Sequence, residues 1–184
     1  MDRIISRPHS ELHGQSINRA PSPLRVRSVP YISIVLASVV PVIVIADVMP
    51  LIPPLGFLML LGWRMVRPGL LPLWVGGPFG AVDDLVSGQP FGSAILLWSL
   101  ALMAIEMIET RFPWRGFWQD WFTAGLIAAA YWLATLLVSG AAMTMEAVSV
   151  AAPQAVLSIL LYPIIARLVA RLDQFRLARA RRIA

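Results

Sequence analysis

The block at residues 118–139, WQDWFTAGLIAAAYWLATLLVS, is apolar over nearly its whole length and is too long for a β-strand. A helix that crosses the roughly 30 Å hydrocarbon core of a bilayer needs about 20 such residues. Of all residues, 58% are hydrophobic and only 14% are charged, whereas about a quarter are charged in a typical soluble domain. Five further apolar blocks lie at residues 30–48, 51–66, 69–87, 91–109 and 146–170. The sequence therefore predicts an all-α membrane protein with six transmembrane helices.

The arginines lie in only some of the breaks between these blocks. All 15 basic residues are arginine: five in the N-terminal tail, two at 64–68, two at 110–117 and six at the C-terminal end. With six helices, every arginine-bearing segment falls on one side, and the positive-inside rule places both termini in the cytoplasm. The block at 51–66 is short, because Pro54 to Val66 spans only about 20 Å as a helix. A re-entrant element there would invert the topology of all later helices, and the arginines would then no longer lie on one side. A full pass is therefore predicted.

Three regions follow from this pattern. Residues 1–29 form a polar, arginine-rich cytoplasmic tail that we expect to be disordered, and residues 30–170 form the six-helix domain. Residues 171–184 continue the last helix as a basic amphipathic extension. In a membrane protein such charge indicates contact with anionic lipid headgroups and not with nucleic acid. The arginines expected at the lipid surface are Arg167, Arg171, Arg176, Arg179 and Arg182.

Most groups that carry catalysis or bind metals are missing from the sequence or lie outside the apolar blocks. There is no cysteine, and the two histidines, His9 and His13, are both in the polar tail. No His, Asp and Glu cluster has metal-ligand spacing, and no phosphate-binding glycine loop or nucleophile turn is present. Glu106 and Glu109 are expected to be solvated at the interface or to pair with Arg111. The sequence thus predicts a protein that is not an enzyme and that has no cofactor or metal.

The stretch at residues 76–92, GGPFGAVDDLVSGQPFG, carries the sharpest pattern in the chain. Gly76, Gly80 and Asp84 are spaced by four residues and share one helix face, where glycines allow another helix to approach closely. The helix dipole opposes a carboxylate at the C-terminal end, so Asp84 needs a partner, and the amides of the Ser87–Gly92 turn are candidates. Two interpretations stay open: Asp84 fixes this turn, or it takes part in partner docking or ligand binding. Asp83 points about 100° away and is expected to face solvent.

This stretch resembles the core of the MreD family of bacterial rod shape-determining proteins. The shared pattern is Gly-x-x-x-Gly-x-x-x-Asp-Leu-x-Ser-Gly, followed by a glycine and a small residue. An aromatic–proline pair, Tyr162–Pro163, fits as well, whereas the long N-terminal tail and the extra acid Asp83 depart from the family. The residues that carry the pattern are Gly76, Gly80, Asp84, Leu85, Ser87, Gly88, Gly92 and Ala94.

The resemblance implies a non-catalytic scaffold of the cell-wall elongation (rod) complex in the bacterial inner membrane. Such a protein binds MreC, acts with the MreB filament, the glycosyltransferase RodA and a class B penicillin-binding protein, and helps to control peptidoglycan synthesis and cell shape. The family is similar in architecture to the six-helix substrate-binding subunits of vitamin importers, a likeness that does not transfer function. The residues implied in helix packing or partner binding are Gly76, Gly80, Asp84, Ser87, Gly88, Gly92 and Pro163.

An alternative function is the substrate-binding membrane subunit of a small-molecule (vitamin) importer, which six helices with both ends inside suit equally well. That function needs an external pocket lined by polar and aromatic groups. A membrane-embedded enzyme is a third and more distant alternative. The polar groups that the outer loops offer an importer are few and mostly acidic: Asp47, Asp83, Asp84, Gln89, Thr144 and Glu146.

Overall fold

The structure is a computed structural model, and it describes residues 23–45, 53–88, 90–112, 116–138 and 144–178. All regular secondary structure in these ranges is helical, so the all-α prediction is confirmed. A short 3-10 turn at Leu73–Val75 precedes the third helix. The α-helices are α1 (Pro23–Ile45), α2 (Leu55–Val66), α3 (Gly76–Ser87), α4 (Ser93–Arg111), α5 (Phe117–Val138) and α6 (Met145–Leu177).

Four of the helices are long and apolar enough to cross a bilayer. The qualifying stretches are Leu24–Pro41 in α1, Ser93–Arg111 in α4, Phe117–Val138 in α5 and Ala151–Leu177 in α6. α2 and α3 have 12 residues each and are therefore only about 18 Å long. The protein is thus built as a multi-pass helical membrane protein, while the six crossings and the cytoplasmic termini stay predictions.

Two helix boundaries differ from the predicted blocks. α1 begins at Pro23, so the end of the predicted 1–29 tail is helical. The predicted 69–87 block is helical only from Leu73 onward. Pro72 interrupts it because proline has no backbone N–H. Gly69, at the start of the block, has a φ of +79°. The rest of the N-terminal tail and the end of the C-terminal extension lie outside the described residues.

α2 is buried on all sides and occupies the centre of the bundle. Every residue from Gly56 to Met65 is buried, as expected for a helix that is apolar all round. Phe57 stacks on Tyr131 of α5 with a centroid distance of 4.3 Å, and it packs against Trp98 of α4 at 5.8 Å. The block that was hardest to assign as a full pass is therefore the one around which α1, α4, α5 and α6 are arranged.

The long helices keep an apolar face outside the bundle. Only 17% to 39% of each candidate spanning stretch is buried inside the protein. Soluble proteins rarely expose contiguous apolar surface on this scale, whereas lipid chains cover it without penalty. The exposed apolar side chains include Ile32 and Leu36 of α1, Leu100 and Met103 of α4, and Leu126 and Leu133 of α5.

Candidate functional site

The glycines of α3 lie directly against the backbone of α4. A Cβ on Gly80 would be 2.6 Å from the carbonyl oxygen of Ala94 and from Cα of Ile95. A Cβ on Gly76 would be 2.9 Å from Cα of Ser99. Real side chains do not tolerate such distances to backbone atoms, so only glycine permits this approach. The face that was expected to serve helix packing or partner binding is thus covered by a helix of the same chain.

The carboxylate of Asp84 accepts hydrogen bonds from the first turn of α4. Its Oδ2 accepts one from the amide N of Gly92 at 2.8 Å, and its Oδ1 accepts one from the amide N of Ala94 at 2.8 Å. The hydroxyl of Ser93 donates to Oδ1 at 3.1 Å. The first amides of a helix have no partner within that helix, and the α4 dipole favours an anion here. Asp84 therefore caps a neighbouring helix, a geometry that favours the interpretation in which it fixes the turn.

The turn between α3 and α4 depends on two glycines with left-handed backbone conformations. Gly88 directly follows α3 and has a φ of +70°, and Gly92 directly precedes α4 and has a φ of +98°. Glycine adopts these values without the strain that a Cβ would cause. Ser87 is exposed at the end of α3. The two glycines allow the chain to reverse so that the amides of α4 come to lie over Asp84.

Asp83 is buried, and the expectation that it faces solvent was wrong. Only 8% of its surface is accessible, and it accepts a hydrogen bond from the Ser38 hydroxyl of α1. Helical periodicity correctly separates Asp83 from the glycine face. It gives no information about α1, which packs against a second face of α3.

A cavity of about 150 Å³ lies beside Asp83, between α1, the start of α2, α3 and α5. Small-molecule sites usually enclose roughly 300–1,000 Å³, so this cavity is small for a vitamin. A larger groove of about 570 Å³ along α5 and α6 is lined by apolar side chains such as Phe122 and Leu126. In the part of the chain that the structure describes, neither space is the large polar and aromatic pocket that an importer needs.

At the other end of the bundle, Arg64 of α2 forms a buried ion-pair cluster with α4. Its Nη2 contacts the carboxylate of Glu106 and lies 2.7 Å from Oε2 of Glu109. Its Nη1 donates to the carbonyl oxygen of Leu71 at 3.2 Å. The two glutamates were expected to be solvated at the interface or to pair with Arg111. The Glu106 side chain is 46% exposed, and Arg64, which is only 3% exposed, is a partner that the spacing along the chain did not indicate.

A second cluster joins the connection after α2 to α6 and α1. Nε of Arg67 donates to Oδ2 of Asp173 at 2.7 Å, and Nε of Arg176 donates to Oδ1 of Asp173 at 2.7 Å. Nη1 of Arg176 also donates to the carbonyl oxygen of Val26 at 3.1 Å. The hydrogen bond that Arg67 donates to Asp173, together with the negative charge of Asp173, raises the pKa of the Arg67 guanidinium above its usual value. The cluster therefore fixes the C-terminal part of α6 to the start of α1.

Arg176 does not lie at the lipid surface, so this prediction was wrong. Arg176 is only 5% exposed, and its guanidinium carbon is 5.6 Å from the ring centroid of Trp63. The spacing of three residues grouped it with the other arginines of the extension. That spacing also puts Asp173 one turn earlier on the same side, and this carboxylate holds the guanidinium against the bundle.

The other arginines of the predicted lipid surface fall into two groups. Arg167 and Arg171 are exposed on α6. Arg179 and Arg182 lie outside the described residues. α6 continues without a break through the start of the predicted extension and ends at Leu177.

Pro163 lies inside α6 and changes the hydrogen bonding of the preceding turn. Because proline has no N–H, the carbonyl of Ile159 lacks its usual helical donor. The indole Nε1 of Trp121 in α5 donates to this carbonyl oxygen at 2.9 Å. Pro163 thereby creates the acceptor through which α5 is hydrogen-bonded to α6. This role could not be read from the Tyr162–Pro163 pair alone.

The polar groups of the described residues mainly join helices to one another. Within these ranges no group of three or more His, Cys, Asp or Glu side chains could hold a metal ion. No curated protein and no solved structure matches the chain. A family model described as "rod shape-determining protein MreD" matches residues 24–172, from the start of α1 into the last turns of α6. The chain therefore belongs to the MreD family of rod shape-determining proteins.

Proposed function

We propose that this chain is a non-catalytic scaffold of the cell-wall elongation (rod) complex in the bacterial inner membrane. It binds MreC and acts with MreB, RodA and a class B penicillin-binding protein to help control peptidoglycan synthesis and cell shape. The family match over residues 24–172 is the observation that carries this proposal. The apolar outer faces of the four long helices are consistent with it.

The proposed topology has six crossings with both termini in the cytoplasm. It rests on the segregation of the arginines and on the two ion-pair clusters. Arg64 near the end of α2 contacts Glu109 near the end of α4, and Arg176 near the end of α6 contacts Val26 at the start of α1. These contacts put one end of each of four helices at a single level, as six alternating passes require. The level is rich in arginine, which favours the cytoplasmic side.

The partner surface is proposed to be an outer face of the long helices. The Gly76–Asp84 face is a poor candidate, because α4 of the same chain covers it. The exposed row on α4 that contains Leu96, Leu100 and Met103 is accessible to a transmembrane helix of MreC. Arg167 and Arg171 are proposed to contact anionic lipid headgroups next to this domain.

Depletion of the protein in a rod-shaped bacterium that carries it tests the proposal. Cells should become round as they grow, and expression of the wild-type chain should restore rods. In detergent extracts, MreC should co-purify with the tagged chain. A photo-crosslinker at Leu100 should form an adduct with MreC, whereas one at Leu85 of α3 serves as an exposed control outside the proposed row. Depleted cells that keep their rod shape, together with no recovered MreC, would contradict the scaffold role.

A further inference from the structure

The groove along α5 and α6 is lined only by apolar and aromatic residues and encloses about 570 Å³. Gly125 and Ala129 lie at its base, where the absence of a large side chain leaves the space open. Phe122 is 76% exposed and Leu126 is 59% exposed, so these side chains extend outward and form one wall. Ile159 of α6 lines the opposite side. The groove is therefore an apolar channel that is open toward lipid.

The groove extends from the arginine-rich end of the bundle to about the middle of the membrane. Its lining along α5 runs from Trp118 to Ala129, a distance of about 17 Å on a helix. This length is about half of the roughly 30 Å hydrocarbon core. Tryptophan is enriched at the boundary between lipid and water, so Trp118 and Trp121 place the mouth of the groove there. The groove thus matches one leaflet, whereas a transmembrane helix of a partner would need a surface across the whole core.

A row of residues on α6 leads from the groove to exposed positive charge. The indole Nε1 of Trp121 donates to the carbonyl oxygen of Ile159 at 2.9 Å, so Ile159 lies near the mouth of the groove. Arg167 is about 12 Å further along α6, toward the arginine-rich end. Arg167 and Arg171 are both exposed, and a phosphate above the mouth of the groove would lie beside them. The members of the row are spaced by four residues and share one side of the helix: Ile159, Pro163, Arg167 and Arg171.

We propose that this groove holds one acyl chain of an anionic phospholipid of the cytoplasmic leaflet, whose phosphate is bound by Arg167 and Arg171. Because the surrounding bilayer is as apolar as the groove, the chain gains packing contacts and no hydrophobic driving force. The selectivity of the site therefore comes from the attraction between the arginines and the anionic headgroup. The site uses the proposed cytoplasmic position of this end of the bundle and does not depend on the scaffold role.

The test uses the purified full-length protein in a mild detergent and counts the bound lipids by native mass spectrometry. Phosphatidylglycerol and phosphatidylcholine with identical acyl chains are supplied at equal concentrations. The chain should retain about one phosphatidylglycerol molecule in preference to phosphatidylcholine, because only the former has a net negative headgroup. Glycerol phosphate, which has the charge without the acyl chains, should not displace the bound lipid.

Two substitutions separate the headgroup from the chain. Arg167→Gln should weaken the retention of phosphatidylglycerol roughly fivefold and leave that of phosphatidylcholine unchanged, because it removes one charge beside the phosphate. Ala129→Phe fills the groove and should weaken the retention of both lipids several-fold. The matched controls are Arg27→Gln on α1 and Ala152→Phe on α6, which alter exposed residues outside the groove and should change neither.

Leu126→Ala covers the case in which Ala129→Phe does not fold. It shortens an exposed side chain of the wall and should weaken the retention of both lipids without loss of the fold. Equal retention of the two lipids by the wild type, or no effect of Arg167→Gln and Leu126→Ala, would overturn the proposal. A wild type that retains no phosphatidylglycerol and that crosslinks to MreC from Leu126 would overturn it in favour of a partner helix.

Discussion

Gly77 and Gly80 are close together on α3, yet only Gly80 faces α4. A Cβ on Gly80 would be 2.6 Å from α4 backbone atoms, whereas a Cβ on Gly77 has no atom within 4 Å. Gly80→Ala should lower the free energy of unfolding by about 1–3 kcal/mol, because the helices must separate. Gly77→Ala should leave it unchanged or raise it by up to about 1 kcal/mol through helix propensity. Unfolding in mixed micelles measures both, and equal effects would contradict the packing described.

Substitutions can distinguish a structural role of Asp84 from a role in partner docking. Asp84→Ala removes the acceptor of several α4 amides and should lower the free energy of unfolding by about 1–3 kcal/mol. Asp84→Asn keeps one acceptor oxygen, so it should lower the free energy of unfolding by less than Asp84→Ala does. Leu85→Ala is the matched control, since Leu85 is 75% exposed. A stable Asp84→Ala protein that no longer captured MreC would instead establish a docking role.

For individual residues, the sequence predicts which side chains share a helix face, but it does not predict which other helix packs against that face. The spacing of Gly76, Gly80 and Asp84 correctly indicated a close helix contact and a carboxylate near backbone amides. The same periodicity placed Asp83 in solvent and Arg176 among lipid headgroups, and both are buried. Their surroundings come from α1 and from Asp173 and Trp63, which helical periodicity within a single segment cannot bring together.

The contact between α2 and α4 depends on the buried ion-pair cluster of Arg64. Arg64→Ala should lower the free energy of unfolding by about 1–3 kcal/mol, because it removes the hydrogen bonds that the buried guanidinium donates to Glu109 and to the carbonyl oxygen of Leu71, whereas the Glu106 side chain is already 46% exposed. Arg111→Ala, at the exposed end of α4, is the control and should have little effect. The combined change Arg64→Met with Glu109→Gln should cost less than the sum of the single changes. Additive single effects in the same unfolding assay would show that the pair is not coupled.

The contact between α5 and α6 depends on the carbonyl that Pro163 leaves free. Trp121→Phe should lower the free energy of unfolding by about 0.5–1.5 kcal/mol, the range of hydrogen bonds between membrane helices. In a Pro163→Ala background the helix can supply its own donor, so the same change should have a smaller effect. Trp118→Phe is the control, because Trp118 is 72% exposed. A Trp121→Phe effect that is identical in both backgrounds would contradict this role of the proline.

At the scale of elements, hydropathy located the apolar segments but could not rank them by burial. An apolar helix that faces lipid and one that lies in the bundle centre have the same composition. Hydropathy therefore identified the block at 51–66 only as a short transmembrane pass. Its position in the core is explained by Phe57 and Trp63, whose side chains are buried against other helices. The start of α3 was predicted too early because Pro72 was treated as part of the apolar run.

For the whole molecule, the distribution of arginines carried most of the prediction. It predicted an even number of passes and an arginine-rich end of the helical bundle. The structure shows in addition that acidic side chains form ion pairs with arginines at this end. Glu109 and Asp173 lie at the level of Arg64 and Arg67. The acids were visible in the sequence, but Arg64 and Arg67, with which they pair, lie far from them along the chain. Only the arrangement of α2 between α4 and α6 brings them together.

The proposed six crossings differ from a four-crossing arrangement in the position of the connection after α2. If α2 and α3 dip into the membrane and return, Pro68 does not reach the cytoplasm. If both cross, Pro68 is cytoplasmic and Phe91 is external. Both residues are exposed in the structure. Because the chain has no cysteine, single-cysteine variants report each position without background.

Labelling of Pro68→Cys and Phe91→Cys with a membrane-impermeant maleimide therefore tests the arrangement of the whole molecule most directly. The six-crossing topology predicts that Phe91→Cys is labelled in spheroplasts and that Pro68→Cys is labelled only in inside-out vesicles. Labelling of Pro68→Cys from outside the cell, or its protection in both preparations, would contradict that topology.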